Sequence, residues 1–330
     1  MIKYLRHEEI DKHTWDACIA ASENNMVCAL SWFLDVVSPG WQAYVEEQGG
    51  AYATVMPLPG TLKMGFPYLS QPLHAQMLGI FTTVRSSPAV REQMLELTIK
   101  RFKFINGYRF NAGDTPCLEK LQNTYDLVPR YTRLLALSKP YPELYKGYTR
   151  DRTMNLKRAQ RANLRMFESD DIEPLIEHFK KHIAHKVVGG VSEVAYKMLR
   201  ELFAAAKKHG MAQLMYTTAG GEVNAGCLFI KYNNTISYTF NSADSEGRAA
   251  NGRTLVLDEI IRQHAGSDYV LDFESPMIQQ IEHFYASFGS QRVKYFALRQ
   301  NALPLYVKVI RNVRMKLYRA FFATGVAEEV

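Results

Sequence analysis

The sequence has few cysteines, and their spacing fits neither a disulfide framework nor a zinc site. The 330 residues include four cysteines, at positions 18, 28, 117 and 227, and no two of them form a CxxC pair. Scattered cysteines of this kind are typical of buried free thiols in a reducing compartment. We therefore expect free thiols and no disulfide.

Long hydrophobic runs are also missing. No apolar stretch reaches about 18 residues, the length that a membrane-spanning helix needs, and the first residues, MIKYLRHEEIDKHTW, are charged and mixed rather than signal-like. The hydrophobic share of 47% is nevertheless enough to fill substantial cores. We expect a soluble cytoplasmic protein, and a chain of this length favours two domains.

Acidic residues are outnumbered by basic ones, 33 against 40, which gives a net charge of +7. This balance leaves room for an anionic partner such as a CoA ester, a nucleotide, RNA or a membrane surface. Residues 146–166 hold seven Lys or Arg residues and one acid, Asp151. A basic helix is predicted over 154–166, and its face is either solvated or binds an anionic ligand. The candidate residues on it are Lys157, Arg158, Arg161 and Arg165.

Three histidines lie at helical spacing but do not complete a metal site. His178, His182 and His185 occupy positions i, i+4 and i+7 of a helix predicted over 172–185. Neither a carboxylate nor a cysteine at motif spacing completes a tetrahedral set, and the neighbouring residues are lysines. The sequence therefore predicts no metal.

The stretch 236–298 carries the main functional signal. It is predicted to form a strand, a Gly/Arg loop (NSADSEGRAANGR), a helix, a strand, a second helix beginning at Ser275, and a last strand. A helix that begins in such a loop presents unpaired N–H groups and a positive dipole end, which suits a phosphate; a turn without a ligand is the alternative. The candidate phosphate-binding residues are Gly247, Arg248, Ala249, Ala250, Asn251, Gly252, Arg253 and Thr254.

Three further residues of this stretch have side chains suited to proton transfer. Asp272 and Glu274 flank Phe273 at a strand end, where alternation places both carboxylates on one face. One of them is a candidate base for an amine, and capping of the following helix is the alternative. Tyr285 is either a core residue or a general acid for a leaving thiolate.

Both halves of the chain have a similar order of predicted elements. In each half, antiparallel hairpin strands precede a helix and a strand, although the sequences do not repeat. A duplicated α+β unit with one degenerate copy explains this order. We predict two domains, residues 1–140 and residues 141–330, each with a central mixed sheet flanked by helices.

The motifs of the second half resemble the GNAT acyltransferase superfamily, and more closely its FemAB-like branch. The segments that carry the resemblance are SADSEGRAANGRTLVLDEII, YVLDFESPMIQQIEHFYASFG, the basic RTMNLKRAQRANL and, in the first half, FPYLSQPLHAQMLGIF. The GNAT loop pattern Gln/Arg-x-x-Gly-x-Gly/Ala is met in part, because the third residue after Arg248 is Asn251 and the glycine follows at Gly252.

The resemblance implies two tandem GNAT-like domains and transfer of an acyl or aminoacyl group, from acyl-CoA or aminoacyl-tRNA, to an amine. The acceptor implied by the FemAB-like branch is a cell-wall precursor. The alternative is a GNAT-like protein without activity that binds a nucleotide, RNA or another anion. The C-terminal segment 306–322 alternates basic and apolar residues, which predicts an amphipathic helix that packs on its own domain, contacts another copy, or contacts the inner face of a membrane.

Overall fold

The computed structural model describes residues 1–83, 88–187 and 190–322. The elements of the first part of the chain are β1 (Ile2–Leu5), α1 (Lys12–Ala21), α2 (Ser31–Val37), β2 (Gln42–Gln48), β3 (Ala51–Leu58), β4 (Gly60–Lys63), β5 (Phe66–Ser70), β6 (Phe81–Thr82), α3 (Pro88–Arg101), β7 (Phe104–Arg109), α4 (Thr115–Leu121) and β8 (Leu127–Ala136).

The remaining elements are α5 (Tyr141–Lys146), α6 (Arg150–Arg161), β9 (Arg165–Glu168), α7 (Glu173–His182), α8 (Glu193–Lys208), β10 (Ala212–Ala219), β11 (Glu222–Tyr232), β12 (Thr235–Ala243), α9 (Ser245–Ala249), α10 (Gly252–His264), β13 (Val270–Asp272), α11 (Gln279–Ala286), β14 (Gln291–Asn301) and α12 (Leu305–Phe322).

The chain divides into two compact units. The first contains residues 1–130 and 294–314, and the second contains residues 131–293 and the described residues after 314. The mixed α/β class and the two-unit architecture predicted from the sequence are confirmed. The domain boundary at residue 140 stays a prediction. Among the described residues, no helix is long and apolar enough to cross a membrane.

The first unit contains two sets of paired strands. One has the order β1-β2-β3-β6, in which every pair is antiparallel. The other has the order β4-β5-β7-β14, in which β5 and β7 are parallel. Buried Trp15 packs against Trp41 with ring centroids 4.7 Å apart, and its indole N–H donates to the carbonyl of Ala29. The ring therefore buries a large apolar area with its one polar atom satisfied.

The second unit is built on strands in the order β8-β13-β12-β11-β10-β9. Alternation along β11 sends Leu228 to one face and Cys227 and Phe229 to the other, as expected for a strand. The first face is covered by α7 and α8, and the second by α5, α6, α10 and α11. Both faces are thus buried, which is why β11 has seven consecutive buried residues.

The pairing of β12 with β13 positions the candidate site. These strands are parallel and pair only over Thr235–Ser237 and Val270–Asp272. β12 continues to Ala243, and among the described residues it forms no pair with β13 beyond Ser237. β12 therefore continues past the carboxyl end of β13, and ligand sites in α/β sheets are commonly found outside such ends.

Several elements differ from what the local sequence pattern favours. The apolar spacing of residues 15–37 favours one helix, but the chain forms two there, α1 and α2. Residues 57–81 include four prolines, which favour irregular structure, yet they contain β4, β5 and the start of β6. Proline is tolerated there because Pro67 sits near the start of the short strand β5.

Three local errors fall in the second unit. The Gly/Arg loop contains the short helix α9. The helix expected to begin at Ser275 begins at Gln279, and Ile278 occupies its N-cap without a side-chain cap. The basic helix ends at Arg161, so Arg165 lies on strand β9 instead. All four cysteines are free, and Cys18, Cys28 and Cys227 are buried as expected.

Candidate functional site

Asp272 and Glu274 come together through a turn rather than through strand alternation. Glu274 follows the end of β13 and has a φ of 42°, in the left-handed region. This bend brings its backbone N–H to the Asp272 carboxylate, with a nitrogen–oxygen distance of 2.8 Å. Left-handed backbone at a non-glycine residue is costly and is concentrated at functional sites. The expectation that the two carboxylates lie together holds, for a different physical reason.

Both carboxyl groups are poorly solvated, which raises their pKa values. Burial raises the pKa of Asp272 to about 6, although its Oδ1 accepts hydrogen bonds from Thr132 Oγ1 and Glu274 N. Burial, and then the charge of Asp272, raises the pKa of Glu274 to about 8, and a hydrogen bond with Ser237 acts against the shift. Because like charges interact at short range, the pair titrates as a unit and holds a proton near neutral pH.

Tyr285, on α11, is part of the core and also part of a polar network. Its ring stacks on Phe273 with centroids 4.8 Å apart, and only 3% of the residue is exposed. Its phenol is hydrogen-bonded to Asn241, whose side-chain oxygen also accepts from Arg253 Nη1 at 2.8 Å. Burial raises the pKa of Tyr285 to about 12, so the phenol keeps its proton and can donate it to a strong base.

Two glycines of the predicted phosphate loop are needed for packing. A Cβ on Gly247 would lie 2.0 Å from the carbonyl oxygen of Asn224, and a Cβ on Gly252 would lie 2.5 Å from Thr217 Oγ1. Asp244 caps α9 by accepting from Gly247 N at 2.6 Å. The loop therefore folds tightly onto β10 and β11, and glycine is required there even without a ligand.

The other candidate loop residues are either exposed to solvent or lie at the start of α10. Arg248 and Ala249 are exposed, and Ala250 and Asn251 are partly exposed. Asn251 has a φ of 60° and turns the chain into α10, where Thr254 is buried. Arg253 lies against the ring of Phe284, 5.1 Å from its centroid.

Arg152 is the residue that sequence reasoning missed. It lies on α6 and is 6% exposed, with Nε donating to Ser287 Oγ at 2.8 Å and Nη1 to Thr254 Oγ1 at 2.5 Å. Its guanidinium stacks on Phe284 and Phe288, 4.3 and 4.7 Å from the ring centroids. Burial, and then the neighbouring charge of Arg253, lowers the pKa of Arg152 to about 10. The one sequence signal is the TRDR segment, in which Thr149 caps α6.

The two arginines lack an anionic partner. In the described part of the chain, no carboxylate lies within ion-pairing distance of Arg152 or Arg253. A buried charge without a partner is costly, and contacts with aromatic rings offset only part of that cost. Both guanidinium groups lie at the N-terminal end of α10, which also attracts negative charge. The arrangement has the properties of a phosphate-binding site.

The basic residues proposed from the sequence are elsewhere. Lys157, Arg158 and Arg161 are exposed on α6. Arg165, on β9, lines a shallow cavity together with Asn163, Phe167, Thr218, Gly220 and Gly221. That cavity shares no residue with the cluster around Tyr285, so Arg165 is not brought to the candidate site.

One family of known proteins matches part of the chain. Residues 149–274, from the cap of α6 to Glu274, match the acetyltransferase (GNAT) domain family. No curated protein sequence matches the chain significantly.

Solved structures match over nearly the whole chain. The crystal structure of FemX is 12% identical with a TM-score of 0.64, and the match covers 93% of this chain and 99% of that one. The C-terminal domain of a putative lysylphosphatidylglycerol synthetase from Agrobacterium fabrum is 11% identical with a TM-score of 0.55 and coverages of 97% and 99%. A tandem GNAT protein from the clavulanic acid biosynthesis pathway is 13% identical with a TM-score of 0.52 and coverages of 92% and 99%. The chain therefore has the tandem GNAT fold of these structures, as the sequence motifs predicted.

Proposed function

We propose, from this tandem GNAT fold, that the protein transfers an acyl or aminoacyl group from a phosphate-bearing donor to an amine. The observation that carries the proposal is the buried, unpaired Arg152 beside Arg253 at the start of α10. The proton-transfer groups Glu274, Asp272 and Tyr285 belong to the same unit, and the charges of Arg253 and Glu274 both act on the phenol of Tyr285.

Each of these residues has its own role in one acyl transfer. The nitrogen of the amine forms a bond to the donor carbonyl carbon, and the bond from that carbon to the leaving sulfur or oxygen breaks. The Glu274–Asp272 pair accepts the proton that the amine loses, because its raised pKa is matched to that task. Tyr285 donates a proton to the leaving thiolate or alkoxide and regains one from the carboxyl pair, so the reaction moves one proton from amine to leaving group.

The donor is either an acyl-CoA or an aminoacyl-tRNA. Both carry phosphate, beyond the pantetheine arm from the thioester in acyl-CoA and next to the terminal adenosine in aminoacyl-tRNA, and Arg152 and Arg253 fit that shared chemistry. The tight packing of Gly247 and Gly252 gives the loop a structural role that is independent of CoA, and FemX and lysylphosphatidylglycerol synthetase share the fold.

Calorimetric titration of the purified chain with acetyl-CoA, a long-chain acyl-CoA and an aminoacyl-tRNA tests the donor. We expect one of the three to bind, and Arg152→Gln to weaken that binding about 10- to 100-fold. Arg158→Gln is the control, because Arg158 is exposed on the same helix. If none of the donors binds, the proposal is wrong. If a donor or RNA binds without acyl transfer to any amine, and exposed Arg158 and Arg161 carry that binding, the protein is a binding protein instead.

A second proposal concerns the acceptor and rests on the exposed apolar face of α12. Val307 is buried against Tyr68, Phe104 and Leu303. On the opposite side the apolar side chains are exposed, from 49% to 78%, and they are Leu305, Tyr306, Val309, Ile310 and Val313. Lys308, Arg314 and Lys316 are basic residues of the same helix, whereas Arg311 stacks on the ring of Phe104, 4.2 Å from its centroid. We infer peripheral contact of this face with an anionic membrane, which would bring a lipid-linked amine to the enzyme.

Co-sedimentation with phosphatidylglycerol vesicles tests the membrane contact. We expect the wild-type chain to pellet with these vesicles and not with phosphatidylcholine vesicles, and Val309→Asp with Ile310→Asp to abolish pelleting. Val194→Asp is the matched control, because Val194 is 68% exposed on α8. The inference is contradicted if the chain forms dimers through α12 and binds neither kind of vesicle.

A further inference from the structure

Three side chains with metal-binding atoms meet on the face of the second unit covered by α7. They are His178 and His182 of α7 and Asp244, which lies between β12 and α9. One ligand atom from each of the three lies within 4.8 Å of the other two. The two histidines are four residues apart on a helix, so they share one face, as the histidines of helical zinc motifs do.

The His178 imidazole is held in a fixed orientation. The residue is 8% exposed, and its Nδ1 lies 2.8 Å from Ser242 Oγ. Its Nε2 is buried and lies 3.4 Å from Asp244 Oδ2, without a hydrogen bond of normal geometry to any described residue. Metal-bound histidines are typically oriented through the second ring nitrogen in this way, which leaves the first nitrogen free for the ion.

Asp244 and His182 complete the cluster. Asp244 uses Oδ1 to cap α9, and Oδ2 faces His178. The His182 ring centroid lies 4.7 Å from that of His178, and the residue is partly exposed.

We propose that His178, His182 and Asp244 bind a divalent transition-metal ion of the Zn²⁺ class, with a fourth position open to water. Zinc bound at about 2.1 Å in tetrahedral geometry separates neighbouring ligand atoms by roughly 3.4 Å, and the His178–Asp244 separation is 3.4 Å. Two imidazoles and one carboxylate suit Zn²⁺ or Co²⁺, whereas Mg²⁺ and Ca²⁺ prefer oxygen ligands. The sequence predicted no metal because Asp244 is distant in the chain, and His185, which it did consider, lies outside the cluster.

The ion would join α7 to the junction of β12 and α9, just before the loop that leads to α10. Ser242 is already hydrogen-bonded to His178 there, and Asp244 accepts a hydrogen bond from Gly247 N. Acyl transfer as proposed above needs no ion, so metal binding and donor binding succeed or fail independently.

Calorimetric titration of the chelator-treated full chain with ZnCl2 tests this site, followed by the absorbance of the Co²⁺-loaded chain. We expect one ion per chain, a Co²⁺ spectrum typical of tetrahedral coordination, no response to MgCl2, and a rise in Tm with Zn²⁺. His182→Gln should weaken Zn²⁺ binding at least about tenfold and remove the rise in Tm. It is preferred to His178→Gln because His182 is partly exposed, so the variant should still fold.

His185→Gln is the matched control, because it removes an exposed histidine three residues further along the chain. We expect it to bind Zn²⁺ as the wild-type chain does. The proposal is overturned if the wild-type chain binds no Zn²⁺, if folded His182→Gln binds it unchanged, or if His185→Gln weakens binding as much as His182→Gln. In those cases the cluster is a His–Asp ion pair that only fixes α7.

Discussion

The guanidinium of Arg152 lies 4.3 Å from the centroid of the Phe284 ring, and only 6% of this arginine is exposed. A ring face stabilises a desolvated cation by about 2 kcal/mol. That is less than the several kcal/mol that burial of an unpaired charge costs. The anion of the proposed donor would offset this cost.

Arg152→Gln should weaken donor binding about 10- to 100-fold, because hydrogen bonds to charged groups contribute about 1.5–3 kcal/mol. The free energy of unfolding of the ligand-free chain should change little or rise, since the variant removes an uncompensated buried charge. Calorimetry and urea unfolding measure the two effects. A large loss of stability without any change in donor affinity would give Arg152 a purely structural role.

Glu274→Gln should lower kcat by about 10²- to 10⁴-fold, the usual contribution of a general base. In the wild-type chain, activity should rise with pH as the carboxyl with a pKa of about 8 loses its proton. This limb of the pH profile should be missing in the variant. Glu246→Gln is the control, because Glu246 is exposed on α9. An unchanged pH profile in Glu274→Gln would remove Glu274 from the mechanism.

The same carboxyl should make stability depend on pH. Its pKa is raised on folding from 4.5 to about 8, so the folded chain holds a proton that the unfolded chain has released. This contribution is fully present below about pH 4.5 and is lost as the pH rises through about 8. Urea unfolding from pH 5 to 9 should show a decline that is smaller in Glu274→Gln. Asp272 and Asp114, whose pKa values burial raises to about 6 and about 7, should account for part of the decline that remains.

Tyr285→Phe should lower kcat and leave KM for the donor nearly unchanged, because the phenol acts only on the leaving group. Loss of its hydrogen bond with Asn241 should cost about 1 kcal/mol of stability. Tyr216→Phe is a matched control, since Tyr216 is also buried and its hydroxyl donates to the carbonyl of Asp171. Steady-state kinetics should show full activity in the control. Equal kcat values in the two variants would mean that Tyr285 is only a core residue.

Gly247→Ala should destabilise the chain by about 1–3 kcal/mol, the usual cost of overpacking. The new methyl group would overlap the carbonyl oxygen of Asn224, which is backbone and has little freedom to move. Ala249→Ser, at an exposed position of the same helix, is the control and should be nearly neutral. Urea unfolding measures both, and a stable Gly247→Ala chain would contradict the packing argument.

The sequence predicted the fold better than it predicted the surroundings of Arg152. The order of strands and helices around Tyr285 follows from local patterns that the chain carries within a few residues. The burial of Arg152 does not, because it depends on Ser287, Thr254 and Phe284, which are more than a hundred positions away. In a segment with seven basic residues, charge alone cannot tell Arg152 from exposed Arg158.

The irregular backbone was hard to predict for a related reason. The prolines of residues 57–81 disfavour strands, yet β4 and β5 form because β4 pairs with β5 and β5 pairs with β7. Likewise, Ser275 is a good helix cap by residue type, but the left-handed turn at Glu274 delays the helix until Gln279.

The close approach of Gly247 to Asn224 has a consequence in living cells. A substitution in this loop would first increase the fraction of unfolded chain, and quality-control proteases would then remove it. A strain carrying such an allele would lose activity through low protein abundance, while the surviving molecules would bind their donor normally. Immunoblotting of the strain would therefore be needed before any defect at Gly247 is attributed to ligand recognition.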